Sequence, residues 1–159
     1  MNANAGNTVR IAPLSPTHAY QIERLARALP AWFGIEEGLQ DLRHCAESQP
    51  GFVALHRADV IGFVTLDQPF PETREITWMA VAPDLRRNGV GRALIGAVID
   101  DARASRARLL HVKTLADSHP SPEYAQTRAF YCAMGFERLL VLPDLWGPQN
   151  PCLLMVRSV

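Results

Sequence analysis

The 159-residue sequence has no surplus of charge: sixteen Lys and Arg stand against sixteen Asp and Glu. A neutral chain has no global field for gripping a polyphosphate duplex or an anionic membrane, so neither nucleic acid nor a membrane is an expected partner. Any anion site must be local. Cysteine is scarce and unpaired: Cys45, Cys132 and Cys152 are odd in number and form no CxxC, which excludes a disulfide framework and a thiolate zinc site. The five histidines, His18, His44, His56, His111 and His119, show no ligand spacing, so no metal is expected. No GxSxG elbow or Cys–His nucleophile signature is present, which disfavours an acyl-enzyme route. The opening MNANAGNTVR has no apolar signal core, and no later run is long enough to cross a bilayer. A cytoplasmic protein is the expectation. Length and composition fit one ordinary globular domain over residues 1–159.

After a polar, frayed start, Thr8 to Leu14 reads as a strand, and Ser15 or Thr17 can cap the helix that follows. From His18 to Leu29 the apolar positions Ile22, Leu25, Ala26 and Leu29 recur at helical spacing until Pro30 stops them. A second helix is expected over Ile35 to Ser48, after the aromatic connector Trp32-Phe33-Gly34. GFVALHR and VIGFVTL then read as two strands joined at Ala58-Asp59. Glu72 to Ala82 alternates Ile76, Trp78 and Ala80 with Glu75, Thr77, Met79 and Val81, so one carboxylate shares a strand face with apolar residues. A helix from Val90 to Ala104, a strand from Leu109 to Leu115, a loop over Ala116 to Glu123 and a helix from Tyr124 to Met134 follow, with Gly135 as a left-handed cap. Phe136 to Leu142 and Cys152 to Val156 are the final strands. Local strand pairing followed by strand–helix alternation implies a mixed α/β sheet covered by helices.

The most informative stretch is TWMAVAPDLRRNGVGRALIGAVI. A strand runs into a proline stop, two arginines, two closely spaced glycines and a helix start. Gly89 and Gly91 let main-chain N–H groups approach a ligand, the helix start adds unpaired donors and positive dipole, and Arg86, Arg87 and Arg92 supply charge. A pyrophosphate suits such a cradle; a solvated glycine turn is the plain alternative. The run lacks the third glycine of GxGxxG and the Gly-Lys-Ser/Thr of a Walker loop, so neither nucleotide fold is supported.

The run resembles the acyl-CoA signature of the GNAT superfamily of N-acyltransferases, Arg/Gln-x-x-Gly-x-Gly/Ala, satisfied by Arg86, Gly89 and Gly91. The strand ending Val81-Ala82-Pro83 before it, the helix after it and the later Phe130-Tyr131-x-x-x-Gly135-Phe136 keep the family's order and spacing. LPAWFGIEE, KTLADSHPSPEYAQTRAFYCAMGF and DLWGPQNPCLLMV resemble a bacterial subgroup of that family. The resemblance covers almost the whole chain. It implies a mostly antiparallel mixed sheet of six to seven strands with about four helices, and an acetyl-CoA-dependent N-acetyltransferase working by direct amine attack, with no metal. A silent acyl-CoA-binding module and a purely structural domain are the rival classes.

Residue by residue, the resemblance assigns the pyrophosphate to the main chain of Arg87, Asn88, Gly89, Val90, Gly91 and Arg92, with Arg86 as scaffold and charge. It lays the pantetheine arm along Met79, Ala80 and Val81, where the N–H of Val81 or Met79 would face the thioester carbonyl. Glu75 is the candidate general base, with Glu72 or a water as fallback, and Tyr131 the candidate acid toward the CoA sulfur. An ion-paired strand glutamate and a packing aromatic are their structural alternatives. Where many family members carry an asparagine this chain has Tyr124, and the resemblance leaves Ser121 or Arg128 as the candidate to replace that cofactor contact. Trp32, Phe33, Glu36, Glu37, Tyr124 and Trp146 are the candidates for binding the acceptor, a small-molecule or peptide amine. Family members often dimerise, so a homodimer is a further expectation of the resemblance.

Overall fold

The computed structural model describes residues 8–159; the frayed start expected for residues 1–7 lies outside them. Seven strands and four helices follow one another along the chain: β1 (Val9–Pro13), α1 (Ala19–Arg27), α2 (Glu36–Ser48), β2 (Gly51–His56), β3 (Asp59–Asp67), β4 (Thr73–Val81), α3 (Val90–Ala104), β5 (Leu109–Leu115), α4 (Pro122–Ala133), β6 (Glu137–Leu142) and β7 (Cys152–Ser158). The strands hydrogen-bond in the order β1-β2-β3-β4-β5-β7-β6. β1 with β2, β2 with β3, β5 with β7 and β6 with β7 pair antiparallel, whereas β4 and β5 pair parallel. A parallel pair needs a crossover, and α3 supplies it. The result is the mixed, mostly antiparallel sheet with helices that the sequence led us to expect. No helix among the described residues is long and apolar enough to cross a membrane.

The chain forms two compact units, the first comprising Met1–Asp67 with Thr77–Asp100 and the second Gln68–Ile76 with Asp101–Val159. In the first, β3 is buried on both faces from Val60 to Leu66, which is why its sequence is apolar at every position but Thr65 rather than alternating. Ile22 and Ala26 of α1 and Leu39, Leu42 and Ala46 of α2 pack with Val53, Leu55, Phe63 and Ala80 into one core. The β2–β3 turn is Arg57-Ala58, not Ala58-Asp59 as expected, because Asp59 pairs with His56 in the ladder. Arg57 takes the left-handed φ of 57° that tight hairpins require.

In the second unit the parallel ladder runs from Thr73 opposite Leu109 to Ile76 opposite Val112, and β7 then pairs with β5 along its whole length. Helix α4 begins at Pro122, earlier than expected. Ser121 accepts a hydrogen bond from the Tyr124 N–H (3.3 Å) and proline occupies the first turn, where its missing N–H costs nothing. Gly135 ends the helix at φ 84°, the left-handed cap read from the sequence. β6 is the edge strand here, and its Leu139, Leu140 and Val141 are exposed.

Gly51 starts β2 so close to β3 that a Cβ would collide with the Val64 carbonyl oxygen and sit 3.1 Å from the Thr65 Cα. Both neighbours are backbone and cannot rotate away. Gly51→Ala should therefore destabilise the fold by about 3 kcal/mol, the upper end of ordinary overpacking, read as a lower urea midpoint with an unchanged slope.

Candidate active site

In the first unit, β4 leaves the sheet at Ala82, whose N–H donates to the Ile61 carbonyl of β3 (2.8 Å). Peptide groups alternate direction along a strand, so the carbonyl of Val81, and with it the N–H groups of Val81 and Met79, point away from β3. Pro83 then opens a single 3-10 turn, Pro83–Leu85, closed by Leu85 N–H to Ala82 O (3.0 Å). Arg86 is extended, Arg87 is left-handed at φ 65° and Gly89 at φ 80°. A left-handed arginine costs about 1 kcal/mol, so the surrounding turn must hold it there.

The first α3 hydrogen bond runs from Ala93 N–H to Gly89 O (2.9 Å). The N–H groups of Val90, Gly91 and Arg92 thus have no acceptor inside the helix, at its positive end. Helix α3 is anchored by buried Val90, Leu94, Ile95 and Val98. Its approach to β3 depends on Gly62, where a Cβ would already press on Leu94 Cδ1 (3.2 Å) and Val90 Cγ1 (3.3 Å). At Gly89 the opposite holds: apart from Gly89 and its two chain neighbours, no described residue comes within 4 Å of where a Cβ would stand. The turn thus combines helix-start donors with open space beside Gly89, and such donors suit a pyrophosphate.

Around the cradle, Arg87, Asn88 and Arg92 are exposed and Arg86 is half-buried. The Arg86 guanidinium lies 4.3 Å from the ring centroid of Trp32, and its Nε donates to the Val81 carbonyl (3.4 Å). Of the expected acceptor residues in this unit, Phe33 is a core side chain, its ring 5.8 Å from that of Trp78. Glu36 receives two hydrogen bonds from Arg27 (2.8 and 3.0 Å), which hold its carboxyl below the usual range. Thr77 bonds both Thr65 (2.7 Å) and Gln49 (2.6 Å), and Trp78 Nε1 donates to Asp41 (3.2 Å).

In the second unit, Glu75 lies opposite His111 in the parallel ladder and receives a hydrogen bond from Lys113 Nζ (2.5 Å). The ion-paired alternative weighed for Glu75 is therefore present in the structure, with a partner the sequence reading missed. Lys113 stands out in LLHVKTL as a cation within an apolar strand, and it is the only lysine in the chain. Its partner follows from register, which a single sequence does not display. Tyr131 is buried with its ring between those of Phe130 (5.3 Å) and Phe136 (5.4 Å), and burial pushes its phenol well above the ordinary value.

Arg128 is also buried; its Nη1 donates to the carbonyls of Leu115 (2.9 Å) and Ala116 (3.1 Å), and Asp117 lies 3.7 Å from Nε. It staples the end of β5 to α4. Tyr124 sits edge-on to His119 (6.2 Å), and burial raises its phenol too. Trp146 is exposed in the segment between β6 and β7.

Residues 18–136 match the acetyltransferase (GNAT) family model. Among solved structures, a GNAT-family protein from Desulfovibrio desulfuricans superimposes with a TM-score of 0.83 at 23% identity, covering 95% of this chain and 99% of that one. The ribosomal-protein-S18-alanine N-acetyltransferase of Escherichia coli gives 0.75 at 17% identity (96% and 94% covered). An aminoglycoside 6'-N-acetyltransferase in complex with coenzyme A gives 0.74 at 16% (94% and 96%). No curated protein matches the sequence. At such identities the solved structures attest the fold, while the family model spans most of the chain, including β4, the cradle, α3 and α4. The chain belongs to the GNAT acetyltransferase family.

Proposed function

We propose that this protein moves an acetyl group from acetyl-CoA to an acceptor amine by direct attack. Acetyl-CoA-dependent acetylation is the family's general reaction. The observation that carries the reading to this chain is the turn from β4 to α3, with helix-start N–H groups that have no acceptor inside the helix and a left-handed Gly89 beside which a Cβ would meet open space. In this reading the main chain from Arg87 to Arg92 binds the pyrophosphate, and Met79, Ala80 and Val81 guide the pantetheine arm. The N–H of Val81 or Met79 stabilises the oxyanion, a contribution of about 3 kcal/mol for one well-placed donor. Arg128, whose hydrogen bonds go to main-chain carbonyls, supports the cofactor side as a staple of the β5–α4 turn rather than as a direct contact standing in for the family's asparagine.

Glu75 takes the amine's proton, and for this its carboxylate must exchange Lys113 for the substrate or a bridging water. Tyr131 donates a hydrogen bond to the departing sulfur. A phenol pushed up by burial surrenders its proton to a thiolate only uphill, so its part is positioned donation rather than equilibrium acidity. Tyr124 and Trp146 are assigned to the acceptor. The class of acceptor is an amine, whether a small molecule or a peptide terminus; the structural neighbours include proteins named for both. A second reading, a CoA-binding module without turnover, is favoured by the existing Glu75–Lys113 pair.

Calorimetry with CoA, followed by thiol release from acetyl-CoA over an amine panel including an aminoglycoside and an N-terminal alanine peptide, separates these. Heat with thiol release supports the transferase, heat without release moves the conclusion to the binding module, and no heat sinks both. Gly89→Ala has room for its methyl but must adopt φ 80°, so it should cost about 1 kcal/mol of stability while weakening CoA by ~10-fold or more, as expected for a lost charge-assisted hydrogen bond. Tyr131→Phe should lower turnover by about 100-fold with CoA affinity nearly unchanged. The same variant tests the buried phenol. Because the folded-state pKa is raised, its stabilising effect is complete below pH about 10 and is lost as pH rises from there through the folded value. The urea midpoint of the wild type should therefore fall more steeply between about pH 9.5 and 11 than that of Tyr131→Phe.

A further inference from the structure

Trp32 lies in the connector between α1 and α2, where aromatic residues read from the sequence as an acceptor pocket. Its surroundings indicate another role. The connector is fixed at both levels: the N–H groups of Trp32 and Phe33 both donate to the Leu29 carbonyl (3.0 Å each), and the Phe33 side chain is embedded in the core, against which the Trp32 ring packs. The indole is thus a stationary platform. The group covering it is the guanidinium of Arg86, 4.3 Å from the ring centroid, and the same side chain reaches back to the Val81 carbonyl. Arg86 is the residue immediately before the left-handed Arg87 and three before the left-handed Gly89. Where Arg86 is held, the direction of the following N–H groups is held as well.

We infer that Trp32 is a positioning residue for the pyrophosphate loop: by stacking on Arg86 it sets the donors of residues 87–92 before the cofactor arrives, and its effect on CoA passes through Arg86. The inference rests on the proposed CoA-binding role of that loop. The chemistry favours this pair. Tryptophan presents the most attractive π face to a cation, and arginine can stack on it while its Nε still donates at the edge. Ordering the loop in advance lowers the entropic cost of binding, so the platform raises affinity without touching the ligand.

The test is calorimetric titration of CoA into the wild type, Trp32→Leu, Trp32→Phe, Arg86→Met and the double variant Trp32→Leu/Arg86→Met, with melting temperatures measured alongside. Trp32→Leu should weaken CoA about three- to tenfold, the range of a cation–π contact, and Trp32→Phe should recover most of that loss. In the Arg86→Met background, Trp32→Leu should have no further effect, since the cycle isolates what the two side chains share. Should Trp32→Leu fail to fold, Trp32→Met combined with Arg86→Met reads the same coupling, since methionine fills the site but offers no π face. Equal losses in both backgrounds overturn the inference. So does intact CoA affinity accompanied by a raised KM for the most active amine of the panel, which returns Trp32 to the acceptor pocket. A wild type that binds no CoA removes the loop assignment itself and this inference with it, an outcome distinct from a wild type that binds while the variants bind equally well.

Discussion

A strand must reverse into a helix within eight residues, and the molecule achieves this with two left-handed residues, only one of them a glycine. Most of the chemistry assigned to the first unit depends on that bend. Pro83 ends the ladder, the 3-10 turn follows, and Gly89 precedes α3, whose first hydrogen bond runs back to its carbonyl and leaves the N–H groups of residues 90–92 outside the helical ladder. Gly62 lets α3 settle close to β3 and thereby fixes how far the bend projects. An arginine in the left-handed region is tolerated because its neighbours on both sides are committed: Arg86 to Trp32 and Val81, Val90 to the core. Local strain at such a point is the counterpart of donors aimed away from their own helix.

The second unit shows a different economy. Its candidate reacting groups all have structural duties: Glu75 bridges β4 to β5 through Lys113, Tyr131 fills an aromatic stack, and Arg128 ties two carbonyls. Such duties do not disqualify a residue from chemistry. They fix its rotamer, and an immobile group loses less entropy when it acts. They also mean that removing a side chain alters both packing and reactivity, which is why a ring-preserving change at Tyr131 is more informative than truncation.

Legibility varied with the range of the interaction. Elements dictated by local rules are readable: the helical spacing from Ile22 to Leu29, the β-branched and aromatic run of β3, the cap at Gly135 and the glycines of the signature turn. The hairpin joint was misplaced by one residue because turn type depends on which residues face each other, and the start of α4 was placed late because a proline there reads equally as loop or first turn. Partnerships set by register were invisible. Nothing local in LLHVKTL announces that Lys113 meets Glu75, and nothing in AWFG distinguishes the shielded ring of Phe33 from the ring of Trp32 that meets Arg86. The resemblance to a family supplied roles for these residues but not their neighbours.

The solitary lysine has a practical corollary for a member of a family whose general reaction uses an activated acetyl donor. Spontaneous modification by such thioesters requires an uncharged ε-amine, and the only one this polypeptide possesses is bonded to a carboxylate and two-thirds shielded from solvent. The surface cations are otherwise guanidinium groups, which stay protonated and do not react. The molecule therefore offers its own reagent no freely exposed amine side chain, and its exposed thiol, Cys132, is the group whose thioester exchange an acceptor-free control reads.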